Sequence, residues 1–381
     1  MKKIILSVFS LLIGLNTINA QTTNLVLPDS IYSGKQGKFH VQGVAIDTIN
    51  KCAYFSFTNK LIKTDLSGNL IGSVVGFLGH LGDLDLNGND GKIYGSLEYK
   101  NDAIGKGITN TLGVDNGNQN GFYVAIFDGS KIVRPDMDAE KEDLLRTVYL
   151  QEPVIDYEAT VQVDGKVKEH RYACSGIDGL TFGPAFGDPK GKKQYLYVAY
   201  GVYGDTTRSD NDHQVILKYD IDKWGKYESH LLQGKLHRSG PKKAMSKYFV
   251  KTGNSTYGIQ NLAYDAYTGN FYAAVYRGKK SIFPNYDLFV IDGSKKATKG
   301  IITTDNKMEK VEMLQLANGG RKDANTGITG WVFPWGSTGL CPVGGGLFYI
   351  SHNNKTTDGQ QESTVYKYKW VGSADQSFVK E

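Results

Sequence analysis

Seven histidines are the residues of this chain best suited to proton transfer near neutral pH or to holding a metal. Three share a setting. His40, His80 and His170 stand three, two and six residues before Gly43, Gly82 and Gly176, and each glycine opens a short, mostly apolar stretch. As acids and bases, His40, His80, His170 and Tyr257 would move protons on a bound substrate. As ligands, the three imidazoles would offer nitrogens with an open position, as catalytic zinc requires. The unequal offsets and the lack of an HExxH spacing count against a regular cage, so no metal ligand is assigned and no cofactor is required. A zinc- or calcium-dependent hydrolase stands as an alternative.

A second group reads as substrate-binding: Gln42, Arg171, Tyr203, Arg208, Arg277, Trp335 and His352. Guanidinium groups engage carboxylate, sulfate or phosphate, while Trp and Tyr offer flat faces to sugar rings. Together they point to an acidic oligosaccharide or another anionic small molecule. A lyase would neutralise a uronate with a cation while His or Tyr removes the adjacent proton. A hydrolase would need two carboxylates, for which Asp83, Glu98, Asp178 and Asp212 are available. Asp83, Asp85, Asn87 and Gly88 open like a calcium loop, yet Tyr94 replaces the closing Glu, and a hairpin turn accounts for the segment. A noncatalytic platform for a glycan or protein is the other surviving class.

These residues must be positioned by repeated strands. "AYFSFT" from Ala53, "IYGSLE" from Ile93, "LYVAYG" from Leu196, "FYAAVY" from Phe271 and "FYISHN" from Phe348 share Tyr, any residue, then Ser or Ala. Period-two spacing puts each Tyr on the strand face of the small residue two positions on, where a neighbouring sheet can approach. Each copy follows a glycine-led apolar stretch and precedes another strand, and Asp65, Asp128, Asp220 and Asp292 end four of these as turn formers. Weaker fourth strands follow in "NLIGSVV", "RTVYLQ", "ESHLLQ" and "VEMLQLA".

Such a repeat resembles the β-propellers and predicts an all-β fold of five four-stranded antiparallel blades. No WD dipeptide, kelch double glycine or Asp-box ties it to one family. The resemblance implies that loops entering first strands and leaving second strands share one face, around the channel mouth. The long segments 99–120, 151–174, 203–212, 234–257, 277–286, 318–337 and 353–363 fall there, as do six of the seven histidines, all but His230. "EATVQVDGKVKEHRY" predicts a hairpin turning at Asp164-Gly165 that overhangs the channel and delivers His170 and Arg171. "NLVLP" near the start is expected to close the ring against the last blade.

The composition agrees: 46 Gly, 24 Tyr and only 9 Pro in 381 residues suit short strands and turns rather than disorder or collagen. Residues 1–20 read as a secretory signal, with Lys2 and Lys3 before the apolar run Ile4 to Leu15, leaving residues 21–381 as one domain. The run is too short to span a bilayer comfortably. A soluble, periplasmic or secreted monomer without a membrane span is expected. Removing Lys2 and Lys3 lowers the formal net charge from +5 to +3, too weak a bias for a nucleic-acid partner. Cys52, Cys174 and Cys341 are too few for a disulfide framework.

Overall fold

In a propeller both faces of a blade pack against neighbours, so inner strands are buried on each side. Cys52–Phe57, Ile93–Tyr99, Gly121–Phe127 and Cys174–Gly183 are buried along their whole length. The computed structural model describes residues 26–114 and 119–381, so the expected secretory signal of residues 1–20 lies outside the described residues. Five blades surround one axis. Blade one contains Gly43–Asp47, Cys52–Phe57, Lys60–Asp65 and Leu70–Val75; blade two contains His80–Leu86, Ile93–Tyr99, Gly121–Phe127 and Leu145–Tyr149. Blade three begins with Cys174–Gly183, Tyr195–Val202, His213–Tyr219 and Ser246–Lys251, and blade four with Thr256–Asp265, Asn270–Tyr276 and Leu288–Ile291. Blade five is Leu340–Gly344, Leu347–Lys355 and Gln361–Trp370, completed by Ser30–Lys35.

The repeated tyrosines Tyr54, Tyr94, Tyr197, Tyr272 and Tyr349 all lie on second strands and are buried. The small residues two positions on let blades approach: Ser56 Oγ donates to the Gly82 carbonyl of the next blade at 2.5 Å. Glycine is required at Gly43, where a Cβ would stand 2.6 Å from the Asp83 Cα. Polar side chains then stopper the axis. Asp83 accepts the backbone N–H groups of Leu180 and Leu262, from blades three and four, at 2.9 Å each. Asn261 donates to the Gln42 carbonyl at 2.8 Å and accepts the Leu340 N–H at 3.1 Å, joining blades four, one and five.

Three outer features differ from the sequence reading. Ring closure uses Ser30–Lys35, in register Ser30 to Tyr366 and Ile31 to Val365, a few residues beyond "NLVLP". Ile31 supplies the buried apolar side chain there, whereas Val26 is exposed and Asn24 and Leu25 lie outside the described residues. The fourth strand of blade three is Ser246–Lys251, not "ESHLLQ", whose Ser229 bridges Thr147 on the outer strand of blade two. Leu231 explains the detour, because it is fully buried against blade two. Lys307–Leu314, read as the fourth strand of blade four, instead pairs parallel with Ser246–Lys251 and antiparallel with Thr298–Thr304. Blade three thereby grows to six strands, while the end of the stretch still pairs with blade four: Leu316 bridges Ile291, and the Asp292 and Ala317 N–H groups donate to the Gln315 and Val290 carbonyls at 2.9 and 2.8 Å.

Two helices interrupt the mouth-side loops. Helix α1 (Ala103–Leu112) is capped by Asp102, whose carboxylate accepts the Gly105 N–H at 2.8 Å, and ends at Gly113 in the left-handed conformation. Helix α2 (Gln151–Glu158) precedes the Thr160–Val163 and Lys166–Glu169 hairpin, which turns at Asp164 and Gly165 with φ of 51° and 73°. The hairpin leans outward. Asp164 accepts the Ser209 N–H and Lys168 pairs with Asp205 at 2.8 Å, on the loop after the second strand of blade three, and Asp305, in the turn between its two outermost strands, accepts the Gln162 N–H at 3.0 Å.

Candidate functional site

Strand register brings the first site residues together. His80, the first residue of blade two, pairs with Glu98 at the end of the second strand. Asp178 enters from the next blade at an irregularity between Ile177 and Leu180. Gly176 makes room for Glu98, since a Cβ there, at φ +133°, would lie 1.7 Å from Glu98 Oε1. Glu98 Oε1 accepts the Ile177 N–H at 2.5 Å. Lys100 reaches the Ser175 carbonyl at 2.8 Å, lies 2.8 Å from Glu98 Oε2, and stands 4.0 Å from Asp102. Gln260 donates to Asp178 Oδ2 at 3.0 Å and to the Tyr257 carbonyl at 2.8 Å.

Above these groups opens a cavity of about 420 Å³. His80, Lys100, Ser175, Asp178 and Gln260 form its polar floor, with His40, Gln42 and Thr58 from blade one and Tyr257 and Tyr276 from blade four at its sides. Phe39 and the α1 residues Ile104 and Ile108 supply an apolar roof. Gln42 Nε2 lies 3.2 Å from both His40 Nε2 and Thr58 Oγ1, which fixes the imidazole. Tyr257 holds a left-handed backbone, φ 64°, and is partly exposed. Such strain at a non-glycine residue persists only where surrounding structure imposes it.

Charge is tightly controlled at the floor. Burial pushes the Glu98 carboxyl up to about 8, with Lys100 pulling it down and Asp178 adding to the rise. Burial lifts Asp178 to about 6, against Lys100 and the Gln260 amide. Burial lowers His80 to about 3, with Lys100 and His40 contributing, and also lowers His40. Lys100 is dehydrated too, but Glu98 and Asp178 more than offset that and hold its ammonium above the ordinary lysine value. Both imidazoles are therefore uncharged near neutral pH, and the cavity offers neutral nitrogen, carboxylate and amide groups beside one committed cation.

The cavity brings together His40, His80, Gln42, Asp178 and Tyr257 of the residues singled out from sequence. It does not include His170, so three histidines do not converge. The outward hairpin leaves His170 stacked on Tyr157 at 4.5 Å, its Nδ1 bonded to the Tyr157 carbonyl. Arg171 stands 3.7 Å from Asp156 instead of facing the channel. Arg208 is buried on Asp210, 2.6 Å from Nε, and also donates to the Glu169 and His170 carbonyls. Arg277 is half-exposed and paired to Asp287 at 3.1 and 2.5 Å. Tyr203 donates to Asp102 Oδ2 at 2.6 Å and so pins the cap of α1. Trp335 stacks on His352 at 3.8 Å, and His352 Nε2 lies 2.8 Å from the Tyr368 hydroxyl, within blade five. Of the candidate carboxylates, Glu98 and Asp178 meet, whereas Asp83 ties blades together and Asp212 is paired with Lys280.

Phe39, Thr58, Ile104, Ile108, Ser175 and Tyr276 line the cavity without having been singled out. The roof had a readable signal: Asp102, then Ile104 and Ile108 four apart, then Gly113 is a capped amphipathic helix within a stretch taken as irregular loop. Among the described residues, one group of three metal-binding side chains is close-set: His80, Glu98 and Asp178, each with a ligand atom within 4.8 Å of the others. No described helix is long and apolar enough to cross a membrane.

No known family model matches the chain, and no curated protein sequence matches it. Solved structures similar to it include the PQQ domain of pyranose dehydrogenase from Coprinopsis cinerea, at 12% identity, TM-score 0.35, over 86% of this chain and 82% of that one. Regucalcin from Agrobacterium tumefaciens, a calcium-binding protein, aligns at 11% identity and TM-score 0.33 over 92% of this chain and 98% of that one. A GH43 β-1,3-galactosidase with galactodeoxynojirimycin aligns at 13% identity and TM-score 0.43 over 92% and 99%. Likeness at this level concerns the strand arrangement alone.

Proposed function

We propose that this propeller is an enzyme that hydrolyses a hydroxyl-rich substrate, a glycoside, in the cavity under α1. The observation that carries the reading is the floor: Asp178 and the uncharged His80 border one cavity 3.8 Å apart, backed by buried Glu98 and Lys100. A plain binding platform has no use for buried carboxylates set against a neutral imidazole. Asp178 is positioned to accept the proton of an attacking water, and Gln260 holds its other oxygen; Tyr257, in the same lining, would give a proton to the departing sugar oxygen. Tyr257, Tyr276 and Gln42 offer aromatic faces and amide hydrogen bonds to a sugar ring. The reading of residues 1–20 as a secretory signal supports a reaction outside the cytoplasm.

Preference for an acidic substrate loses its support, because Arg208 and Arg277 are neutralised by Asp210 and Asp287 and Arg171 faces Asp156. A lyase would have to neutralise its uronate with Lys100, the cation of the cavity floor, which is already paired to Glu98 at 2.8 Å. A neutral glycoside suits the floor better. The test is a screen of the purified protein against neutral, uronic and sulfated oligosaccharides, followed by Asp178→Asn on whichever is cleaved. A loss of roughly 10²-fold or more in turnover with an unchanged melting temperature is expected. Binding without cleavage of any sugar would overturn hydrolysis and leave the noncatalytic module.

A further inference from the structure

We propose that His80, Glu98 and Asp178 bind one divalent metal ion of the zinc or manganese kind at the floor of the cavity. His80 Nδ1 lies 3.6 Å from Glu98 Oε2 and 3.8 Å from Asp178 Oδ1. Donors bonded to one ion at about 2.0–2.2 Å stand roughly 3–4 Å apart, so a single ion between them meets all three. No hydrogen bond accounts for this convergence, since these separations exceed hydrogen-bond length.

A second observation is independent of the clustering. His80 Nδ1 is a buried polar atom without a hydrogen-bond partner, and it faces Glu98, whose side chain is 0% exposed. Leaving such a nitrogen unpaired costs free energy, which a cation shared with the two carboxylates removes. Lys100 Nζ lies 2.8 Å from Glu98 Oε2 and meets part of that carboxylate's charge, while His80 Nδ1 keeps no partner. A second cation must therefore share Glu98 with Lys100, which weakens its binding.

The occupant is a bare ion because an organic ammonium cannot reach Glu98, which is sealed from the cavity. Nitrogen with two carboxylates suits zinc or manganese, whereas calcium takes six to eight oxygens. His80 and Asp178 border the cavity, so the ion's remaining position would face whatever enters it. The inference rests on the hydrolytic reading and deepens it by naming what would hold the water; with the ion bound, Asp178 would be its ligand in place of the water's proton acceptor. Because binding is measured without substrate, the two readings fail separately.

The experiment strips the purified protein with chelator, titrates it calorimetrically with Zn²⁺, Mn²⁺ and Ca²⁺, and counts retained metal by elemental analysis. One Zn²⁺ or Mn²⁺ per chain is expected. His80→Ala and Asp178→Asn should weaken it by roughly 10-fold or more, and Lys100→Met should tighten it. Stoichiometric calcium with no zinc or manganese, or unaltered binding in folded His80→Ala and Asp178→Asn, would overturn the site. Should those variants not fold, the wild-type count decides alone, and substoichiometric metal sinks the proposal.

Discussion

Blade two holds a histidine at each edge, and the two are opposites. At the outer edge His237 is complete: Nδ1 accepts the Ser239 N–H at 3.1 Å, Nε2 lies 2.8 Å from Thr147 Oγ1, and its ring packs edge-on to Tyr123. At the axis His80 has a buried nitrogen with no partner, facing two carboxylates. Burial holds both below the ordinary histidine value, so the direction of that shift does not separate them. What separates them is the state of their hydrogen-bonding atoms. A satisfied imidazole holds structure, and an unsatisfied one beside a cavity is held ready for something else.

That contrast is broken most severely by filling the space that makes the axial site possible. Gly176→Ala should cost about 3 kcal/mol or more in denaturant-measured stability, because its Cβ enters Glu98 and its φ disfavours a side chain. A variant as stable as wild type would show that Glu98 is free to retreat. Exchanging the two histidines comes next. His80→Ala should lower turnover by roughly tenfold or more at nearly unchanged stability, and His237→Ala should cost about 1–2 kcal/mol of stability at unchanged turnover. Equal behaviour in both assays would erase the distinction.

Acid offers a gentler probe of the outer edge. His237 is depressed by burial, so the folded state binds fewer protons than the unfolded chain once pH falls below about 6.5. Its contribution is present above that pH and is lost on acidification, so His237→Gln should flatten the fall of melting temperature below it. A steeper fall in the variant would contradict the assignment. The smallest effect is expected from Tyr203→Phe, which removes the 2.6 Å hydrogen bond to the α1 cap and costs about 1 kcal/mol. Faster amide exchange confined to residues 103–112 would locate that loss in the roof.

The tyrosine repeat was legible because each blade solves one packing problem with the same period-two pair, as Tyr54 with Ser56 and Tyr272 with Ala274 show. Strand entry likewise located His40, Gln42, His80 and Tyr257, whose positions depend on the strand each precedes or begins. The arginines were not legible as a set. Their charge signalled an anionic ligand, but loop conformation turned Arg208 to Asp210 and Arg277 to Asp287. Outer-edge pairing was hidden too: the alternation in Lys307–Leu314 specifies a strand without specifying which blade receives it. The proximity of Glu98 and Asp178 required a glycine without a side chain at position 176, a three-dimensional condition that spacing alone does not express.

The stoppered axis gives the cavity a single door. With Asp83 and Asn261 drawing the inner strands together beneath it, a molecule that enters under α1 must back out the way it came. On the hydrolytic proposal a polymer is not threaded through the ring, and an end or a short branch is what would reach Asp178.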